Sequence, residues 1–200
     1  MTLTHIVTWS HLLAQEIIAP GDLVVDLTTG KGRDTCMLAE AVGTAGRVVA
    51  FDIQTKALVA ARQNLSATGC PVTDCLIDQP LSAAAGVYLV HACHTALERL
   101  VREPVKVVMA NLGYLPGGDQ EIITSAETTV AALEQALRLL TKGGRLLVTV
   151  YPGHPGGAEE GGAVQQLFTR LPSADWQVLQ VVVANHTEAP YLLAVEKKRA

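Results

Sequence analysis

VKVVMANLGYLPGGD, residues 105–119, joins a six-residue apolar run to a turn built from Asn, Gly, Tyr, Pro and Asp. Val105 to Ala110 reads as a buried strand, and Asn111 to Asp119 reads as a tight polar loop at its C-terminal end. Open α/β sheets bind ligands and do their chemistry at that edge. A lone Gly-Gly or Pro-Gly would be an ordinary strand-to-helix turn. Here the whole stretch from Asn111 to Asp119 has this composition and stands in register with a second glycine loop upstream, which marks a functional edge.

That upstream loop is DLTTGKG, Asp26 to Gly32, placed after the apolar Leu23–Leu27 run and before a helical segment from Arg33 to Val42. Glycines there let the backbone approach a ligand, and helix N-terminal amides supply donors. Dinucleotide-binding folds put GxGxxG in this place, but Thr35 stands where the third glycine would be. Asp26 ends the first strand, where its carboxylate either meets a ligand's amino group or stabilises the turn. Asp52 closes the second strand, Arg47 to Phe51, at a spacing that suits a ribose diol. Together these features indicate an adenosine-containing cofactor. The missing third glycine, the loop at Asn111 and a terminal hairpin favour a methyl donor over a nicotinamide.

Outward from these loops, strands alternate with helices, which predicts a mostly parallel sheet covered on both faces. Ile6 to Ala19 is amphipathic at helical spacing, and Pro20-Gly21 ends it. A helix over Thr55 to Ala67 follows the second strand. Pro71 and Pro80 break the segment from Gly69 to Gly86, so the third strand is placed at Val87 to Val90, with Val72 to Ile77 as the alternative. A helix from His94 to Val101 comes next. Thr124 to Leu140 forms a long helix stopped by Lys142-Gly143-Gly144, and Arg145 to Tyr151 is the fifth strand. PGHPGGAEEGG reads as a glycine-rich loop before a helix from Ala163 to Leu171. Gln177–Ala184 and Tyr191–Val195 lie across a short polar loop and form an antiparallel hairpin. The expected fold is one α/β domain over residues 1–200, with a seven-stranded, mostly parallel sheet whose last strand is antiparallel.

Composition agrees with this architecture. The chain has 200 residues, 49% hydrophobic but only 4% aromatic, so its core is aliphatic. No apolar run approaches the roughly 20 residues of a membrane span, and no secretory leader is evident. Cys36, Cys70, Cys75 and Cys93 show no zinc or redox spacing, and reduced thiols in the cytoplasm are expected. A net charge of −4 argues mildly against a broad nucleic-acid surface, leaving local clusters such as Lys31 with Arg33. His5, His11 and His186 form no metal-ligand pattern, and no metal is expected. A low-charge chain with an exposed hairpin is compatible with a homodimer through edges or helices.

The segments DLTTGKGRDT, FDIQ (Phe51 to Gln54), NLGYLPGGD, ETT (Glu127 to Thr129), YPGHPGGAEE (Tyr151 to Glu160) and the terminal VEKK resemble, in order and spacing, the class I methyltransferase family labelled rRNA methylase. Lys31 stands where that family usually has Asn, and Arg33 where it often has His. The resemblance implies a Rossmann-like fold and S-adenosylmethionine as cofactor. Its cofactor contacts are expected in the first loop at Asp26, Thr28, Gly30, Lys31, Gly32, Asp34 and Thr35. Further contacts are expected at Asp52, Ile53 and Gln54, at His94, and at Asn111, Leu112 and Gly113.

Members of the family methylate the 5-aminomethyl group of the tRNA wobble uridine, often 2-thiolated, to 5-methylaminomethyl. The implied partner is therefore a tRNA anticodon stem-loop. Methyl transfer to an amine is an in-line displacement that mainly requires alignment and desolvation. Asn111 can accept a hydrogen bond from the amine and orient its lone pair, though it is no strong base. Tyr114, Asp119, Tyr151 and His154 are the other catalytic candidates, His154 having the pKa range of a proton acceptor. Arg33, Tyr114, Pro116, Gly117, Gly118 and His154 are expected to contact substrate. The alternatives are an rRNA base or a small-molecule amine as substrate, and, in other classes, a nicotinamide-dependent oxidoreductase or an adenosine-nucleotide sensor.

Overall fold

Runs of Val and Leu without polar alternation must be buried on both faces, and the sheet places them so. A computed structural model describes residues 5–113, 123–186 and 188–199. In chain order the elements are α1 (Ile6–Gln15), β1 (Leu23–Asp26), α2 (Arg33–Val42), β2 (Arg47–Asp52), α3 (Thr55–Leu65), β3 (Val72–Cys75) and β4 (Gly86–His91). Then come α4 (Leu97–Leu100), β5 (Val105–Asn111), α5 (Ala126–Leu139), β6 (Leu140–Val150), α6 (Gly157–Thr169), β7 (Trp176–Val181) and β8 (Tyr191–Lys197). The strands form one sheet in the order β3-β4-β2-β1-β5-β6-β8-β7. β1 to β6 pair in parallel, whereas β8 runs antiparallel to both β6 and β7. The expected terminal hairpin is present.

Each face of the sheet carries its own core. Val24, Val48 and Met109 pack towards Ile6 of α1, Leu38 of α2 and Leu58 and Leu65 of α3. On the other face, Val25, Val49 and Val148 meet Leu97 of α4, Leu133 of α5 and Phe168 of α6. Arg145 of β6 clamps α1 onto the sheet. Its guanidinium donates to the Leu13 carbonyl at 2.8 Å and pairs with Glu16, which directly follows α1, and with Glu196 of β8.

The sheet has eight described strands where seven were expected. Both alternatives in the stretch broken by Pro71 and Pro80 are real: Val72–Cys75 is an edge strand beside Gly86–His91. Its middle residues, Thr73 and Asp74, are exposed, so it carries no apolar run to announce it. The helix expected over His94 to Val101 is a 3-10 turn, His94–Ala96, followed by the single turn of α4. Lys142, Gly143 and Gly144 lie within β6, because α5 has already ended at Leu139. Gly143, at φ +68°, accommodates the jump in pairing from Val105↔Leu140 to Val107↔Arg145. α6 starts at Gly157, six residues earlier than expected, with Glu159 and Glu160 in its first turn, where carboxylates favour a helix N-terminus.

Gly32 shows how closely the helices beside the site are packed. It precedes α2 at φ +78°, and a Cβ there would lie 2.9 Å from both Cα and Cβ of Ala61 on α3. Gly69 has a similar φ of +71° but nothing within 4 Å of its would-be Cβ. Gly69→Ala should therefore cost only the left-handed backbone penalty, about 1–2 kcal/mol. Gly32→Ala should cost roughly 1–3 kcal/mol more through overpacking. Urea denaturation midpoints of the two variants measure the difference, and equal losses would contradict the packing account.

Candidate active site

The C-terminal ends of β1, β2, β4 and β5 stand side by side, and strand order reverses between β2 and β5 on either side of β1. The crevice outside such a reversal is where open α/β sheets take ligands. Here it is a cleft of about 1070 Å³, walled by the loops after β1, β2, β4, β5 and β6 and by the start of α1. That volume is at the upper end of what ligand pockets usually offer.

Three carboxylates organise its floor. Asp26 is fully buried under the first loop; its oxygens accept from the Thr28 amide at 3.0 Å and the Thr35 hydroxyl at 2.6 Å. Burial, reinforced by the nearby Asp34 carboxylate, pushes its pKa up to about 7 against the pull of those two hydrogen bonds. Asp52 is half-buried and accepts from the Gly30 and Gln54 amides, both at 2.8 Å. Desolvation raises its pKa while these amides lower it. Asp34, in the first turn of α2, accepts from His11 of α1 at 2.7 Å and from the side-chain amide of Asn111.

Asn111 is fixed twice. Its backbone amide donates to the Thr28 hydroxyl at 2.7 Å, and its Nδ2 donates to Asp34. Asp34 as a carboxylate can only accept, so the amide nitrogen must face it and Oδ1 must point away. Oδ1 is buried and has no hydrogen-bond partner among the described residues, although Asn111 lines the cleft. Buried acceptors are rarely left so.

His94 lies deep in the cleft, with Nδ1 3.3 Å from the Leu27 carbonyl. A carbonyl only accepts, so Nδ1 carries the proton. Burial lowers the His94 pKa against the pull of the Leu27 and Thr128 backbone, keeping the ring neutral at pH 7. On the β6 loop, His154 donates from Nδ1 to the Pro155 carbonyl at 2.9 Å. Gly113, at φ +125°, keeps the wall beside it thin; a Cβ there would come within 3.2 Å of His154 Nε2. Burial first, and the Asp34 charge second, raise the Tyr151 pKa. Tyr151 therefore stays a phenol at pH 7.

A buried brace holds the base of the β5 loop. Glu160 accepts from the Thr129 hydroxyl at 2.6 Å and the Thr124 hydroxyl at 2.8 Å. Thr124 accepts in turn from the Gly113 amide at 2.8 Å and donates its own amide to the Gly113 carbonyl at 3.0 Å. This brace links the segments that carry ETT and GGAEE.

The cleft gathers Thr28, Gly30, Lys31, Arg33 and Asp34 from the first loop, and Asp52, Ile53 and Gln54 from the second. His94, Asn111, Leu112, Gly113, Tyr151 and His154 complete the predicted residues within it. Asp26, Gly32 and Thr35 are not part of the lining. Asp26 and Thr35 bond to each other beneath the loop, so Asp26 takes the turn-stabilising alternative, and Gly32 packs against α3. Tyr114, Pro116, Gly117, Gly118 and Asp119 lie outside the described residues. The first turn of α1 and His11 also line the cleft, which the sequence did not announce. A lone helical His has no spacing signature, so nothing in the sequence tied it to Asp34, 23 residues later.

The donor set fits an adenosyl sulfonium. Asp52 would offer carboxylate lone pairs to a diol, neutral His94 lines the cleft, and Asp34 and Asp52 would place negative charge near a cationic centre. Among the described residues no group of three or more His, Cys, Asp or Glu could hold a metal ion. Among the same residues no helix is long and apolar enough to cross a membrane.

The raised pKa of Asp26 has a consequence for stability. A carboxyl protonated in the folded state but ionised in the unfolded chain gives stability that is fully present below its ordinary value of 3.8. That stability is lost as pH rises through about 7. Asp26→Asn keeps the shape and the acceptor for Thr28 but cannot ionise. Its stability relative to wild type should therefore rise by on the order of 2–4 kcal/mol from about pH 4 to pH 8. Denaturant melts of both proteins across that range read this directly, and a flat or falling difference would contradict the assignment.

Comparison with known proteins agrees with this geometry. Residues 48–197 match the family described as Putative rRNA methylase. A relative in Arabidopsis thaliana, the chloroplastic tRNA (mnm(5)s(2)U34)-methyltransferase, is 36% identical over 198 residues, covering 94% of this chain and 68% of the relative. The crystal structure of a putative rRNA-methylase from Clostridium thermocellum superposes with a TM-score of 0.87 at 35% identity, covering 98% of this chain and all of that one. A putative methyltransferase from Streptococcus mutans, solved in complex with SAH, gives a TM-score of 0.81 at 28% identity over 96% of this chain and 98% of its own. The chain belongs to the Putative rRNA methylase family and is a class I methyltransferase dependent on S-adenosylmethionine.

Proposed function

We propose that this enzyme transfers the methyl group to the exocyclic amine of 5-aminomethyl(-2-thio)uridine at the tRNA wobble position, giving the 5-methylaminomethyl form. The observation that carries the reading is the buried Asn111 Oδ1, an acceptor without a partner among the described residues and turned away from Asp34. An amine nucleophile has N–H groups to donate and a lone pair to aim; an acceptor held at the strand end does the aiming. The 36% identical relative, whose name specifies mnm(5)s(2)U34 of tRNA, supports the choice of nucleic acid and position.

Bound S-adenosylmethionine supplies an electrophilic sulfonium methyl for in-line displacement. Gly30 and Lys31, Asp52 to Gln54, and His94 would hold it, with Asp52 on the ribose hydroxyls. Asn111 orients the substrate amine, and His154, on the loop after β6, is the candidate acceptor for the amine's proton. Tyr151 offers a ring on which the extruded base can stack. Lys31 and Arg33 are exposed at the rim and supply the local positive charge that an acidic protein needs to hold an RNA backbone. The two flanking loops, at Asn111 and at Tyr151, form the substrate side. A reducing, cytoplasmic setting and a single domain over residues 1–200 belong to the same reading.

Incubation with labelled S-adenosylmethionine and tRNA bearing or lacking the aminomethyl group tests it. Label should enter only the aminomethyl tRNA, and Asn111→Ala should lower kcat by roughly 10²–10³-fold. Equal labelling of both tRNAs, or labelling of rRNA alone, would overturn the substrate assignment.

A further inference from the structure

We infer that His11 is a positioning residue for methyl transfer, acting through Asp34 to hold the Asn111 carboxamide with Oδ1 towards the substrate. The inference rests on the reading of Asn111 as the acceptor for the substrate amine. His11 projects from α1, its side chain 26% exposed, with Nε2 2.7 Å from Asp34 Oδ1. The other oxygen of Asp34 accepts from Asn111 Nδ2. A chain of hydrogen bonds thus runs from the N-terminal helix, across the first turn of α2, to the end of the central strand β5.

An Asn carboxamide has two orientations related by a flip, close in shape and opposite in hydrogen-bond sense. With Oδ1 towards the amine it orients the nucleophile's lone pair. Flipped, it presents NH₂ to an NH₂, and the lone pair is drawn the wrong way. Among the described residues the Asp34 carboxylate distinguishes the two, and it does so while it keeps one oxygen on Asn111. The Asp34 side chain is 7% exposed, so without His11 its Oδ1 would be a buried acceptor lacking that donor. The carboxylate would then turn to find another donor, and that frees the Asn111 flip. His11 keeps its place because Arg145 clamps α1 to β6 and β8.

The test compares His11→Phe, which fills the space without an N–H, with His11→Gln, which restores a donor near the Nε2 position. His11→Phe should lower kcat on aminomethyl tRNA roughly ten- to a hundredfold, the scale of a small misplacement in a reacting pair. KM for the tRNA and the Kd for S-adenosylhomocysteine should stay within about threefold, and His11→Gln should recover most of kcat. An unchanged kcat in His11→Phe, or His11→Gln as impaired as His11→Phe, would overturn the inference. A second readout needs no substrate: the side-chain amide resonances of Asn111 in ¹⁵N NMR spectra should move in His11→Phe and stay near wild type in His11→Gln. Unmoved resonances in His11→Phe would refute the coupling even if the wild type proved inactive on that tRNA, an outcome that would remove the substrate assignment by itself.

Discussion

Asp26, Asp34 and Asp52 cluster at the end of β1, the start of α2 and the end of β2, and each carboxyl group accepts hydrogen bonds from donors around it. Each therefore draws donors from a different part of the chain. Asp26 ties the β1 loop to α2 through Thr28 and Thr35. Asp52 holds the Gly30 amide against the β2 loop. Asp34 reaches furthest, joining α1 through His11 to β5 through Asn111. Burying carboxyl groups side by side is unfavourable by itself: burial first, and the Asp34 charge second, raise the Asp26 pKa. What it yields is a set of loops with little freedom around one cleft, the pre-organisation that alignment of two reactants requires.

The proposed substrate side is organised by a similar principle with different groups. Glu160 is buried and takes two threonine hydroxyls, one of which also accepts from Gly113. Gly157 and Gly161 fit the start of α6 against β6 and β8, since a Cβ at Gly157 would stand 2.3 Å from the Tyr151 carbonyl and one at Gly161 2.6 Å from the Tyr191 hydroxyl. The glycines of the PGHPGGAEEGG stretch thus serve packing as much as loop geometry. A helix begins there because small residues permit it.

Much of this was legible because strand ends announce themselves. Apolar runs stopping at Asp26, Asp52 and Asn111 located the functional edge, and the hairpin of β7 and β8 followed from its short polar connection. β3 was legible only as the alternative placement over Val72 to Ile77, because an exposed edge strand need not be apolar. The orientation of Asp26 could have been read from strand alternation. Val24 and Asp26 share a face of β1, and Val24 packs in the core shared with α2 and α3, so the carboxylate points under the loop towards Thr35. His11 left no such trace: its partner is distant in sequence, and only the folded chain brings the first helix over the cleft. The Thr129–Glu160 contact accounts for two motifs that look independent along the chain.

The proposed methyl transfer turns on where Asn111 Oδ1 points when both reactants are in place. A crystal structure with S-adenosylhomocysteine and an anticodon stem-loop carrying 5-aminomethyl-2-thiouridine at the wobble position measures this directly. The aminomethyl nitrogen should lie about 3 Å from Asn111 Oδ1, facing the sulfur of the cofactor product, with Asn111 Nδ2 still on Asp34. An aminomethyl nitrogen bound away from Asn111, or facing its Nδ2, would contradict the assignment.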